Sequence, residues 1–96
     1  MCSIYSRQDP DRYALTTRSL RLDGCSTSIR LENAFWDVLD RMAADERRPL
    51  PDLLSELHNE VVANRQGPMN FTSILRSSCL IFLETSDRGR TAIAAE

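Results

Sequence analysis

The stretch STSIRLENAFWDVLDRM, Ser26 to Met42, changes its hydrophobic period partway along. Thr27, Ile29 and Leu31 alternate with Ser26, Ser28 and Arg30, so a period of two puts the first three on one face and the last three on the other. From Glu32 onward the spacing becomes helical: Phe35, Leu39 and Met42 follow i, i+4, i+7, with Trp36 and Val38 flanking that stripe. The pattern predicts a strand over 26–31 that runs without a loop into an amphipathic helix ending near Glu46.

Upstream, Arg18 to Leu22 alternates in the same way, with Leu20 and Leu22 on one face and Ser19 and Arg21 on the other. Asp23-Gly24 follows, a pair suited to the positive φ angles of a two-residue hairpin turn. Downstream, Asp37 and Arg41 stand i, i+4 in the favourable order, and the run Asp45, Glu46, Arg47, Arg48 reads as a solvated helix end whose cations complement the dipole. Pro49, Leu50 and Pro51 break the chain, and Pro51 suits the first turn of a second helix. The stripe of that helix is Leu50, Leu53, Leu54, Leu57 and Val61, with His58 at its margin as a polar surface or hydrogen-bonded residue. Asn64 to Phe71 carries the breaker pair Gly67-Pro68. Thr72 is then the expected N-cap of a third helix over 73–84. Its apolar face is Ile74, Leu75, Ser78, Cys79, Phe82 and Leu83, and Arg76 points away. Residues 1–17 are polar and broken by Asp9, Pro10 and Asp11, so they read as a flexible arm; residues 85–96 read as a flexible tail. The folded domain is thus expected over 18–84.

At 96 residues the chain makes one domain with a modest core, and association is a direct way to bury more apolar surface. Its net charge of −2 does not favour a polyanion partner by itself. The charge is uneven, however. Arg18, Arg21 and Arg30 against Asp23 leave a net +2 over 18–30, while Glu32, Asp37, Asp40, Asp45 and Glu46 against Arg41 leave −4 over 32–46. A basic ribbon on an acidic body turns its positive side to a polyanion. All 12 basic residues are Arg, which binds guanine edges and phosphates bidentately, although codon usage in a GC-rich genome explains the same bias.

Cys2, Cys25 and Cys79 are odd in number and widely spaced, and His58 is the lone histidine, so neither a disulfide framework nor a metal site is indicated. The N-terminus lacks an apolar signal core, and the longest apolar run, Cys79 to Leu83, is far too short for a membrane span. These features predict a cytoplasmic protein with reduced thiols. No Gly-rich phosphate loop, paired-His site or nucleophile elbow supports catalysis, a cofactor or a small-molecule ligand.

TSIRLE and FWDVLDRMA, with RSLRLDG before them and NFTSILRSSCLIFL after, resemble the bacterial ribbon-helix-helix family of the Arc/MetJ type, in a variant with an extra N-terminal strand and an extra helix. The resemblance runs from about Arg18 to Leu83. It implies an α+β fold, an N-terminal β-hairpin followed by three helices, that forms an intertwined homodimer through the strand 26–31, with higher oligomers open. The dimer core would hold Ile29, Leu31, Phe35, Trp36, Leu39, Met42, Leu53 and Leu57. Ser26, Ser28 and Arg30 match the positions where the family presents its groove-reading side chains, and double-stranded DNA is the implied partner. Arg18 and Arg21 on the neighbouring strand are the expected phosphate contacts. A helix start also clamps phosphate in such folds, through free backbone N–H groups. Here helix two opens on Pro49 and Pro51, which offer neither a capping hydroxyl nor an N–H at the second proline. FTSILRSSCLIFL resembles the family's second helix more closely, and in that alignment Thr72 and Ser73 restore the clamp. The simple order, strand, strand and three helices, is preferred, with the equivalence of the helices open.

Two other readings stand beside a transcriptional regulator. Outward polar residues on a half-exposed sheet can simply keep it in water. With the acidic net charge and the Pro-disrupted cap, that suggests an oligomeric interaction or assembly module that has lost DNA binding. An antitoxin-like regulator would need a toxin-wrapping tail, and the tail here is short.

Overall fold

A computed structural model describes residues 7–64 and 70–95, with side chains over 7–64 and 70–86. Cys2 and the Gly67-Pro68 pair lie outside the described residues. The order is a 3-10 turn (Pro10–Arg12), β1 (Leu15–Leu22), β2 (Cys25–Glu32), α1 (Asn33–Asp45), α2 (Leu50–Asn64) and α3 (Phe71–Ala95).

β1 and β2 form a two-stranded antiparallel sheet in which Leu22 pairs with Cys25 and Leu15 with Glu32. Asp23 and Gly24, at φ 53° and 82°, make the reversal. Both central residues are left-handed, as the turn whose twist matches the flanking strands requires. Both strands are longer than the alternation over 18–22 and 26–31 suggested, because Leu15 to Thr17 keeps the pairing in step with Arg30 to Glu32.

The passage from β2 to α1 needs no loop because neighbouring groups hold it. Glu32 is extended and makes no side-chain cap. The Asn33 amide donates instead to the Ala14 carbonyl at 2.9 Å. The Asn33 side chain accepts from Thr16 Oγ1 and donates to the Asp11 carbonyl at 2.7 Å. Residues 10–17, expected as an arm, are therefore partly built into the domain through Asn33.

Among the described residues, the inner face of the hairpin and the three helices enclose a core of Leu22, Ile29, Leu31, Trp36, Leu39, Leu54, Leu75 and Cys79. On α1 the buried stripe is Trp36, Leu39 and Ala43. The expected stripe through Phe35 and Met42 is thus rotated, and those two residues are half-buried at its margin. Indole size explains the rotation: burying Trp36 removes the most apolar area, and its Nε1–H finds the Thr16 carbonyl at 2.9 Å. Of the residues assigned to a dimer core, Ile29, Leu31, Trp36, Leu39 and Leu53 are buried within one chain, and Leu57 is half-buried.

α1 ends in a Schellman motif, with the Arg48 amide donating to Ala43 O and the Arg47 amide to Ala44 O, both at 3.1 Å. Arg47 takes the left-handed position at φ 54°. Arg48, read from sequence as part of a solvated end, is half-buried. Its guanidinium binds the Glu56 carboxylate and the Asp52 carbonyl, which joins α1 to the first turns of α2. α3 begins at Phe71, and its cap is Asn70, whose Oδ1 accepts from the Ser73 amide at 3.2 Å, in place of the expected Thr72. His58 meets Phe71 edge-on at 5.1 Å and seats that start on α2. Arg76, expected to point away, reaches Glu32 at 3.0 Å and lies over the Phe35 ring. The helix continues past Glu84 to Ala95 because that stretch holds one Gly and no Pro to stop it. No helix of the described residues is long and apolar enough to cross a membrane.

Arg47 holds a conformation that costs a side-chain-bearing residue ~1–2 kcal/mol. Arg47→Gly is therefore expected to raise stability by about 1 kcal/mol at fixed protein concentration in denaturant titration, and an unchanged midpoint would refute the strain. Cys79 is fully buried, and that burial pushes its thiol up to about 11 from the ordinary 9.0. The fold holds the thiol protonated, so this contribution to stability is complete below pH 9 and is lost as pH rises toward 11. At neutral pH the exposed Cys25 should react with a thiol reagent in the native protein and Cys79 only after unfolding. Rapid native labelling of Cys79, mapped by mass spectrometry, would contradict its burial.

Candidate nucleic-acid interface

The face of the hairpin turned away from the core is polar from Arg21 and Ser26 to Thr17 and Arg30, and beyond them it ends on the exposed Leu15 opposite Glu32. On β2 it presents Ser26, Ser28 and Arg30, all exposed. Directly opposite on β1 stand Arg21, Ser19 and Thr17, also exposed. Like side chains on one strand repeat every ~6.7 Å. The two rows sit side by side, and Ser19 Oγ lies 3.4 Å from Ser28 Oγ across the strands. The face is held from below, because Leu22, Ile29 and Leu31 of the same strands are anchored in the core.

Backbone geometry gives β2 a second property. A two-residue turn closes on a hydrogen-bonded pair, here Leu22 and Cys25, and such pairs recur at every second position. The Asn33 amide bonded to Ala14 O, at the far end of the same register, obeys that phase. Ser26, Ser28 and Arg30 therefore turn their own N–H and C=O groups away from β1. That edge of β2 has no strand partner among the described residues. The three residues whose side chains face outward also own the open backbone edge.

The structure separates the two arginines expected to hold phosphate. Arg21 lies on the outward face. Arg18 lies on the inner face, with its guanidinium 4.5 Å above the Trp36 ring and bonded to both Asp40 oxygens at 3.1 and 3.2 Å. It stays with α1 because its register partner is the buried Ile29. Thr72 and Ser73 are not brought to the ribbon either. Ser73 lines a cleft between α2 and α3 with Leu57, Val61, Ile74 and Ile81, and its amide is already taken by Asn70. Two residues of the outward face were given no role from the sequence. Thr17 fell outside the expected strand, and Ser19 was placed on the face without an assignment; the apolar/polar alternation is clean only over 19–22, so nothing local marked Thr17.

The face carries a cation on either side of the central Ser19–Ser28 pair. Arg21 and Arg30 are those cations, and three carboxylates of the hairpin and α1 are engaged elsewhere: Glu32 with Arg76, Asp40 with Arg18, and Asp23 with Asn59 at 3.2 Å. The Asp23 amide also donates to Ser55 Oγ at 3.3 Å, so α2 straps down the hairpin tip. Acids such as Asp37 and Glu60 project from the helices, which keeps most negative charge off the sheet.

A family model described as a ribbon-helix-helix domain matches residues 15–83. Among solved structures, an uncharacterized protein from Bordetella pertussis Tohama I is similar at 42% sequence identity and a TM-score of 0.82, over 93% of this chain and 71% of that one. No curated protein matches the chain. The family match opens on the first residue of β1 and extends into α3, so it takes in the whole hairpin, the first two helices and half of the third. On that span the chain belongs to the ribbon-helix-helix family.

Proposed function

We propose that two copies of the chain join through the open edge of β2 and present Ser26, Ser28 and Arg30 as an antiparallel ribbon to the major groove of double-stranded DNA. The protein is then a dimeric, sequence-specific transcriptional regulator of the cytoplasm, acting by binding and not by catalysis. The family supports the DNA reading, since ribbon-helix-helix domains belong to DNA-binding transcriptional regulators. The observation that carries it on this chain is the coincidence at β2, where the residues with free backbone groups are those with outward polar side chains. An open strand edge calls for another strand, and a symmetric partner supplies one through a two-fold axis that leaves the strands antiparallel. The groove admits a two-stranded ribbon, and Arg30 is long enough to donate two parallel bonds to guanine O6 and N7. Ser26 and Ser28 donate to or accept from several base edges.

A second reading, an assembly module, draws on a different surface. The cleft between α2 and α3 is lined by Leu57, Val61, Ile74 and Ile81, and Val62, Leu80 and Ile81 are 54%, 53% and 61% exposed nearby. Light scattering together with retention on a random duplex library separates the two: a defined oligomer without DNA retention at moderate salt belongs to the module.

Arg30→Ala is expected to reduce discrimination between a selected operator and an unrelated duplex by ~1–3 kcal/mol per contact while leaving the dimer folded. Undiminished preference for the operator in a gel-shift assay would remove Arg30 from base reading.

A further inference from the structure

Joining β2 to its symmetry mate makes a four-stranded sheet in the order β1, β2, β2, β1, because β1 occupies the other side of β2 in each copy. Neighbouring strands stand ~4.8 Å apart, which places the β2 axes ~2.4 Å and the β1 axes ~7 Å from the two-fold axis. The major groove is ~12 Å wide, so its walls lie ~6 Å from that axis. The central pair enters the groove, and the flanking strands come to lie over its walls. We propose that Thr17, Ser19 and Arg21, the polar members of the outward row of β1 after the exposed Leu15, form a phosphate-binding rail on each side of the groove. This inference rests on the groove-reading dimer proposed above.

The chemistry of the row suits that place. All three side chains are exposed, all three donate hydrogen bonds, and none is acidic. Thr17 and Ser19 are short, so the strand can approach the sugar-phosphate chain closely. Arg21, at the hairpin end opposite Ser26, supplies the charge. Asp23, beside the hairpin tip, accepts from Asn59, and Asp40 is held by Arg18 on the inner face. The other places for a backbone clamp are poor. The first turn of α2 carries Pro51, with no N–H to give, and Asp52, which repels phosphate. At the start of α3 the Ser73 amide is occupied by Asn70. Contacts from the rail fix register and affinity but read no sequence, whereas Ser26, Ser28 and Arg30 do the reading.

The test measures affinity of the full chain for two duplexes of equal length, one selected from a random library and one unrelated, over about 50 to 200 mM salt. Arg21→Ala is expected to weaken both duplexes by the same factor. Losing one phosphate contact per subunit should also flatten the slope of log K against log salt by about two per dimer, so that the fall in affinity across that range is roughly tenfold smaller. Ser19→Asp sets a carboxylate against the phosphates and is expected to weaken both duplexes as well. Circular dichroism melts of both variants should match the wild type. If Arg21→Ala and Ser19→Asp leave slope and affinity unchanged while Arg30→Ala loses discrimination, the rail is wrong and the ribbon reading stands. If the wild-type chain binds neither duplex at about 50 mM salt, the ribbon reading and the rail fall together.

Discussion

The seat of Trp36 decides which way the hairpin faces. The ring is buried against the inner side of the sheet, donates through Nε1 to the Thr16 carbonyl and carries the Arg18 guanidinium 4.5 Å above it. Arg18 in turn holds Asp40 one helical turn along α1. Stacking, hydrogen bond and ion pair thus bind β1 to the helix that follows β2. The ion pair is half-exposed and adds little alone; the desolvated indole and its satisfied N–H dominate. With the inner face so committed, strand alternation leaves Arg21, Ser19 and Thr17 beside Ser26, Ser28 and Arg30 on the outer face. Slipping either strand by one residue would send the whole polar row inward, a strong penalty against any other register.

The remaining contacts hold the helices to that frame at separate points. Ser55 and Asn59 of α2 grip the hairpin tip, Arg48 grips the start of α2, and Arg76 of α3 grips Glu32 where β2 becomes α1. Several of these are charge-assisted bonds at the protein surface, each modest, and their value lies in fixing positions around the buried core. They also collect carboxylates. An acidic chain can offer a cationic face only if its acids are engaged or kept elsewhere, and Glu32, Asp40 and Asp23 are taken up by Arg76, Arg18 and Asn59. Net charge is therefore a poor guide to this molecule, because the distribution is set by these pairings.

Much of this was legible in the residues. Alternation in SLRL and in TSIRL, Asp23-Gly24 between them and the period change at Glu32 are local signals, and the hairpin and the helix after it follow from local sterics. The outward placement of Ser26, Ser28 and Arg30 follows from the same alternation. Pro49 likewise marks the break before α2, and Pro51 sits in its first turn. The errors fell where distant residues decide. The α1 stripe centred on Trp36 and Ala43 because a carbonyl on β1 receives the indole N–H. Arg76 turned inward because Glu32, 44 residues earlier, waits beside Phe35. Arg18 and Arg21, alike in sequence and three positions apart, were assigned one role and lie on opposite faces.

The sequence by itself determined the elements, their order and which side of each strand is polar, since these depend on side-chain period and turn chemistry within a few residues. Tertiary structure alone decided which arginines are spent on the protein and which remain for a partner. It also decided that β2 keeps one edge open while its other edge is taken by β1. An ion pair or a strand edge joins groups far apart along the chain, and no local pattern records how the fold brings them together.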